Sequence, residues 1–312
     1  MISRRLVRIK TLQTLYSWKQ SNIDDEYQFI ENLKVSIYQS HAFYLFLLDF
    51  PYKLQQFLNQ KLELERSKFY PDAKKIQQFS ILNNTPLIQK IHQEVLLTDD
   101  KIKFSWDEME MHFETWFQNM LTWDFVNDYS IFEEPDFQLQ KEFLDNLFFS
   151  FIDTHEHFNE ILEDINPTWP EDASITLREI NKTIMVSKQT SELAISKSIP
   201  LNDEDLIFGL NMLKYTVRNS EKFEAMVSEV TDNWDPSRIA VIDLLIIKLT
   251  LSEFLYFPEI PVKVTINEYL EITKNYSTPN SSKFVNGILD KLRIQLEKTG
   301  QIQKTGRGLR EK

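Results

Sequence analysis

Residues 239–251 read IAVIDLLIIKLTL, and this run decides the fold class. Its apolar side chains cover a helix nearly all round instead of forming one stripe. A helix of that kind is the buried centre of a bundle. Asp235-Pro236, just upstream, can start it, because proline is tolerated in a first turn. Downstream, Pro258 and Pro261 bracket a loop, and the pattern predicts a helix over 264–276. A loop over 277–282 and a final helix over 283–298 follow. The closing KTGRGLREK has no core-forming pattern and is expected to be mobile.

The rest of the chain agrees with a helical reading. Hydrophobic residues make up 42% of the 312, with 23 Phe, 11 Tyr and 6 Trp, which is ample for a core. There are only five Gly, and the first is Gly209. Tight turns, strand bulges and phosphate-cradling loops favour Gly, so an all-β fold or a glycine-rich nucleotide fold is hard to build from this composition. Ser3 can cap a first helix over 4–19, with Leu6, Ile9, Leu12, Leu15 and Tyr16 as its apolar points. Further helices are expected over 27–50, ending before Pro51, and over 52–69, ending at Tyr70-Pro71. Trp106, Met109, Phe113, Trp116, Phe117, Met120 and Trp123 form a helical stripe whose ordinary meaning is core. Residues 136–185 and 201–250 look alike at an offset of 65, with Phe143 opposite Phe208, Phe158 opposite Phe223 and Trp169 opposite Trp234. That is either an internal repeat or a chance match of amphipathic helices.

Cysteine is absent, which removes disulfides, thiolate metal sites and cysteine nucleophiles. No phosphate-binding loop, dinucleotide fingerprint, nucleophile elbow or zinc-protease motif occurs. His155 and His157 stand two apart, so on a helix they point away from each other and cannot chelate one metal; they read as solvated surface. The N-terminal MISRRLVRIKTLQ lacks a signal-peptide pattern. The longest apolar stretch, 42–48, is far short of the roughly 20 residues that span a bilayer. A soluble, cytoplasmic, non-enzymatic protein with no cofactor and no metal is expected.

The net charge of −12 is unevenly distributed. Residues 1–20 carry five cations and no acid, residues 263–312 are net +5, and residues 21–262 are net −22. Two basic ends on an acidic body are either ordinary solvated surface or the two halves of one anion-binding face.

Two segments, IPVKVTINEYLEI at 260–272 and SSKFVNGILDKL at 281–292, resemble the C-terminal half of the NusB family, and the likeness extends over 233–292. The opening SRRLVRIKTLQTLYSW, residues 3–18, is similar to that family's arginine-rich first helix. The resemblance implies an all-α fold of two helical subdomains, here with an additional helical insertion. The divisions expected are 1–50 for the family's N-terminal part, 51–200 for the added segment, 201–298 for the C-terminal subdomain and 299–312 for a basic flexible tail. It further implies binding of boxA-type single-stranded RNA together with the NusE-type small-subunit ribosomal protein, loading onto the RNA polymerase antitermination complex, and no catalysis.

By this resemblance the RNA-binding residues are Arg4, Arg5, Arg8, Tyr16, Lys263, Lys283, Phe284 and Asn286. Cations at a helix start oppose the helix dipole, so Arg4, Arg5 and Arg8 suggest an anionic ligand, although a solvated basic start reads the same. Tyr16 either stacks on a base or packs. Phe284, at the start of the last helix, either offers its face to a base or joins the core. Lys263 is a phosphate or partner contact by resemblance and a surface lysine by itself. The first helix and the start of the last are expected to border one surface. Gly287 is expected to permit close helix packing. Asn280 departs from the acidic residue that many members carry in this loop. Two other readings remain. A helical protein–protein adaptor without RNA binding fits the acidic middle. An RNA methyltransferase carrying a similar domain lacks its glycine-rich cofactor loop here.

Overall fold

In the computed structural model, residues 3–21, 25–98, 104–189, 203–231 and 239–309 are described. Among them the chain is helical throughout and has no strand. Contacts divide it into two compact units: residues 38–199, and residues 2–37 together with 200–312. The boundary falls inside one helix, between residues 37 and 38.

The first unit is assembled from the second half of α2 (Glu26–Leu48), α3 (Phe50–Arg66), α4 (Ala73–Phe79), α5 (Pro86–Leu96), α6 (Glu110–Met120), α7 (Asp124–Tyr129), α8 (Phe137–Phe149), α9 (Glu156–Ile165) and α10 (Trp169–Val186). Pro51 sits in the first turn of α3, where its missing N–H does no harm, and so it separates α2 from α3. The core is aromatic. Phe46 stacks on Trp106 at 3.9 Å between centroids, and Phe50 meets Trp116, Phe151 and Phe158. The tryptophan N–H groups of Trp106 and Trp169 find partners, the first donating to the Phe46 carbonyl and the second to Asn159 Oδ1. The aromatic stripe is therefore core, as its spacing predicts, but it is not one helix. Residues 107–109 form a tighter turn before α6, and Trp123 stands in extended backbone ahead of α7.

The second unit holds α1 (Arg4–Gln20), the first half of α2, α11 (Glu204–Arg218), α12 (Ser220–Val230), α13 (Val241–Tyr256), α14 (Val262–Tyr276) and α15 (Ser281–Lys298). Ser3 caps α1 by accepting from the Leu6 N–H at 3.3 Å, as its position predicts. Helix α13 is buried along most of its length and packs against α1, α11, α12, α14 and α15, the central place read from its all-round apolarity. Asp235-Pro236 and Trp234 lie outside the described residues, and the described helix begins at Val241.

Two expectations are corrected here. Gly287 faces open space, with nothing within 4 Å of where a Cβ would stand. The close approach is at Gly209 on α11, where a Cβ would come within 2.5 Å of Val7 on α1. The segment after α15 is also not a free tail as far as Leu309. Lys304 Nζ donates to the Glu253 and Phe257 carbonyls, the Thr305 N–H donates to the Pro258 carbonyl, and Gly308 is buried against Pro258. Its few apolar side chains left no pattern to read, because backbone hydrogen bonds and a glycine contact hold it.

At the offset of 65 the helix boundaries nearly coincide. Helices α8 and α9 map onto α11 and α12, and Phe143 with Phe208, and Phe158 with Phe223, are all buried.

Candidate nucleic-acid interface

The three arginines at the start of α1 point at carboxylates of their own unit. Arg4 Nε lies 2.8 Å from Asp205 Oδ1 on α11. Arg5 forms a forked pair with Glu268 on α14, at 2.8 and 2.7 Å. Arg8 forms a second fork with Glu253 on α13, at 2.8 Å on both arms, and faces Glu268 at 3.6 Å. Glu253 also accepts the Thr265 hydroxyl at 2.8 Å. The guanidinium groups of Arg4 and Arg8 each lie 5.3 Å from the centre of the Phe208 ring, close enough for a cation–π attraction. One turn of α1 is thus tied to three neighbouring helices by a ladder of ion pairs.

Arg8 is 3% exposed and Glu253 is fully buried. Burial pulls the Arg8 pKa down, but the field and hydrogen bonds of Glu253 more than reverse this, and the guanidinium is held above its ordinary range. Arg5 is raised as well, chiefly through its hydrogen bonds to Glu268. The anion that a cationic helix start calls for is therefore supplied from within the fold. Arg8 has no surface from which to touch a ligand, so its assignment as an RNA contact is corrected to a structural one. The sequence carried a partial signal: Glu268 is the acid of the INE segment, and Glu253 follows the apolar run. Neither announced a partner 263 or 245 positions away, since spacing along one helix cannot reveal it.

The other candidates lie at the surface or close to it. Tyr16 is exposed near the end of α1, twelve positions and roughly 18 Å along the helix axis from Arg4. Lys263 is exposed in the first turn of α14. Lys283 is exposed, Phe284 is 36% exposed and Asn286 is half-buried, all in the first two turns of α15. Asn280 precedes α15 without a side-chain cap bond, so its amide leaves the first-turn N–H groups to other acceptors.

These exposed candidates are spread along the helices rather than gathered at one point. Helices α14 and α15 run antiparallel: Ser277, just after α14, bonds to Ser281 at the start of α15. At the other end, Val262, Lys263 and Ile266 share a cavity with Asp290, Arg293 and Glu297. Lys263 and Phe284 therefore stand at opposite ends of a hairpin, on the order of 20 Å apart. Helix α1 packs on α11 and α13, while α15 packs on α12, α13 and α14. A ligand touching Tyr16, Arg4, Lys263 and Phe284 must be extended.

In the first unit, His155 is not plain helix surface. It caps α9, its Nδ1 accepting the Phe158 N–H at 3.1 Å, and burial lowers its pKa. His157 Nε2 lies 3.3 Å from His112 Nδ1. No group of three or more metal-ligating side chains occurs among the described residues. No helix among them is long and apolar enough to cross a membrane.

A likeness to known proteins covers α11 to α14 and much of α15, and the matched family model does not reach α1. The NusB family model matches residues 173–293, from within α10 to the middle of α15. A transcription antitermination protein NusB of Salinibacter ruber is 35% identical over 42% of this chain and 86% of its own length. That of Chloroherpeton thalassium is 40% identical over 34% of this chain and 49% of its own length. That of a Geobacter species is 30% identical over 39% of this chain and 79% of its own length. No solved structure matches.

Proposed function

This chain belongs to the NusB family of transcription antitermination proteins, and from that membership we propose that it binds boxA-type single-stranded RNA together with a NusE-type small-subunit ribosomal protein. In this reading it joins the RNA polymerase antitermination complex in the cytoplasm and supports transcription of ribosomal RNA operons. It acts as a non-catalytic adaptor and needs no cofactor.

The observation that carries the reading is the likeness to the Salinibacter protein over most of that protein's length. Chemically, the RNA contacts fall to the exposed candidates: Lys263 and Lys283 meet phosphates, and Phe284 and Tyr16 offer ring faces to unstacked bases. Asn286 borders the same turn as Phe284. Arg4 and Arg5 keep part of their surface in water and add positive potential at the edge, already partly neutralised by Asp205 and Glu268.

That partial neutralisation favours one other reading, a helical protein–protein adaptor of the transcription or ribosome-assembly machinery without direct RNA binding. Fluorescence anisotropy with a boxA-type RNA, with and without the NusE-type ribosomal protein, separates the two. The proposal expects salt-dependent RNA affinity that the ribosomal protein strengthens. Capture of the ribosomal protein with no RNA affinity at low salt would leave the adaptor.

A further inference from the structure

The acidic first unit carries one place built unlike the rest of its surface, the turn between α3 and α4. Phe69 and Tyr70 stand there 88% and 84% exposed, the most exposed large hydrophobic side chains among the described residues. Their rings are perpendicular, with centroids 4.7 Å apart, so the two faces point in different directions.

This exposure is not slack in the chain. Glu65, buried at the end of α3, accepts the Asp72 N–H at 3.1 Å on one oxygen and the Lys68 ammonium at 2.6 Å on the other. The Ser67 hydroxyl donates to the Leu64 carbonyl, and the Ser67 N–H to the Glu63 carbonyl. Asp72 then caps α4 by accepting from the Lys74 and Lys75 N–H groups at 2.9 and 3.3 Å. Both ends of the turn are stapled, and the two rings are held out in water at its tip. Holding aromatic rings in water is unfavourable, and a rigid turn that does so is prearranged for contact.

Charge indicates what the contact is with. Residues 38–199 hold 14 basic and 27 acidic residues, a net of −13. Five of those cations, Lys61, Arg66, Lys68, Lys74 and Lys75, fall within residues 61–75, with only three acids, and of the five Lys61 is paired with Glu114 of α6 at 2.9 Å. Of the three, Glu65 and Asp72 are taken up by the turn itself. Among the described residues neither Lys74 nor Lys75 has a carboxylate at ion-pair distance, and the Arg66–Glu63 contact is long, 3.7 Å, and exposed. Ile131 and Phe132, also exposed, are followed by Glu133 and Glu134 and have no such surround. Lysine is depleted from protein–protein interfaces, whereas aromatic faces among cations are how unstacked bases and their phosphates are held.

We propose that the α3–α4 turn is a second RNA contact, in which Phe69 and Tyr70 stack on bases of single-stranded RNA while Lys74, Lys75 and Arg66 meet its phosphates. The contact lies on a unit other than the one that carries the boxA reading and stands or falls separately from it.

The test uses the full chain, labelled polyuridine as the probe, and three double variants. Phe69→Ala/Tyr70→Ala is expected to weaken binding about fivefold or more with the salt slope unchanged. Lys74→Gln/Lys75→Gln is expected to flatten the slope of log affinity against log salt by about 1.4. Lys263→Ala/Phe284→Ala tests the other unit. Ultraviolet cross-links should map to Phe69 or Tyr70, and the thermal midpoint should be unchanged, since both rings are outside the core. The inference is overturned if the first two variants bind polyuridine within twofold of the parent at every salt concentration and no cross-link falls in 66–75. Loss in the third variant under that outcome leaves the boxA reading standing. It is equally overturned if the Phe69/Tyr70 variant keeps RNA but loses a protein in pull-downs. A parent chain with no affinity for polyuridine overturns this inference and leaves the boxA reading to its own assay.

Discussion

The arginine ladder of α1 separates stability from ligand binding, and Arg8 tests this most sharply. In Arg8→Ala, Glu253 keeps the Thr265 hydroxyl but loses both guanidinium bonds in a site closed to water. Removing one member of a buried ion pair costs about 3–5 kcal/mol, since the remaining charge is left without compensation. That is a large share of the roughly 5–15 kcal/mol that holds a domain together. Arg4 is 41% exposed and makes one such bond. Arg4→Ala should therefore cost under ~1 kcal/mol. Replacing both charges, Arg8→Met with Glu253→Leu, should recover most of the loss, because neither desolvation cost then remains. A chain of two units need not unfold in one step, so global denaturation alone is a poor gauge. Hydrogen exchange of the α1 and α13 amides reports this unit directly. The Arg8 pKa is raised, so the pair's contribution is fully present below the ordinary arginine range and is lost only above it. The Arg8→Ala deficit should therefore stay constant across the pH range in which the exchange is measured, on the arginine side of the pair. Protection in Arg8→Ala equal to that in Arg4→Ala would contradict this account.

Gly209→Ala should destabilise the second unit by about 1–3 kcal/mol through overpacking on Val7. Gly287→Ala, in open space, should instead stabilise α15 by about 0.5–1 kcal/mol; paired urea midpoints decide, and a reversed order would show that the helix contact had been misjudged. Phe284→Ala should weaken boxA-type RNA by ~1–3 kcal/mol with little change in salt slope, and a changed slope would mean that the substitution had disturbed phosphate contacts instead. Burial lowers the Lys304 pKa to about 8, with the Glu253 field partly opposing. Between about pH 8 and the ordinary lysine range the unfolded chain then binds the extra proton, so this residue's contribution to stability rises with pH. Lys304→Met should flatten that rise in the thermal midpoint, and an identical pH profile would show that the ammonium is solvated.

Helix periodicity, the capping serine, the prolines and the all-round apolarity of residues 239–251 are local facts, and they were legible as an all-α chain with α13 at a centre. The aromatic stripe was legible as core for the same reason: burial of large rings is dictated by composition and spacing. The family likeness was carried by short segments of unusual composition, IPVKVTINE and KFVNGILDK, and it picked out the exposed ends of α14 and α15. Two misreadings share one cause. Gly287 and the segment after α15 were judged from their own helix or their own composition. What decides them lies elsewhere in the fold, open space in one instance and the Pro258 backbone in the other.

The helical class, the buried centre and the roster of residues able to meet RNA thus followed from the amino acids alone, because helix pitch and side-chain chemistry are properties of near neighbours in the chain. Which of those residues are available was settled by packing. Glu253 and Glu268 reach Arg8 and Arg5 across 245 and 263 positions, and the antiparallel turn between α14 and α15 sends Lys263 and Phe284 to opposite ends. A charge is free or paired according to what the fold places within about 4 Å of it, and no local pattern encodes that distance.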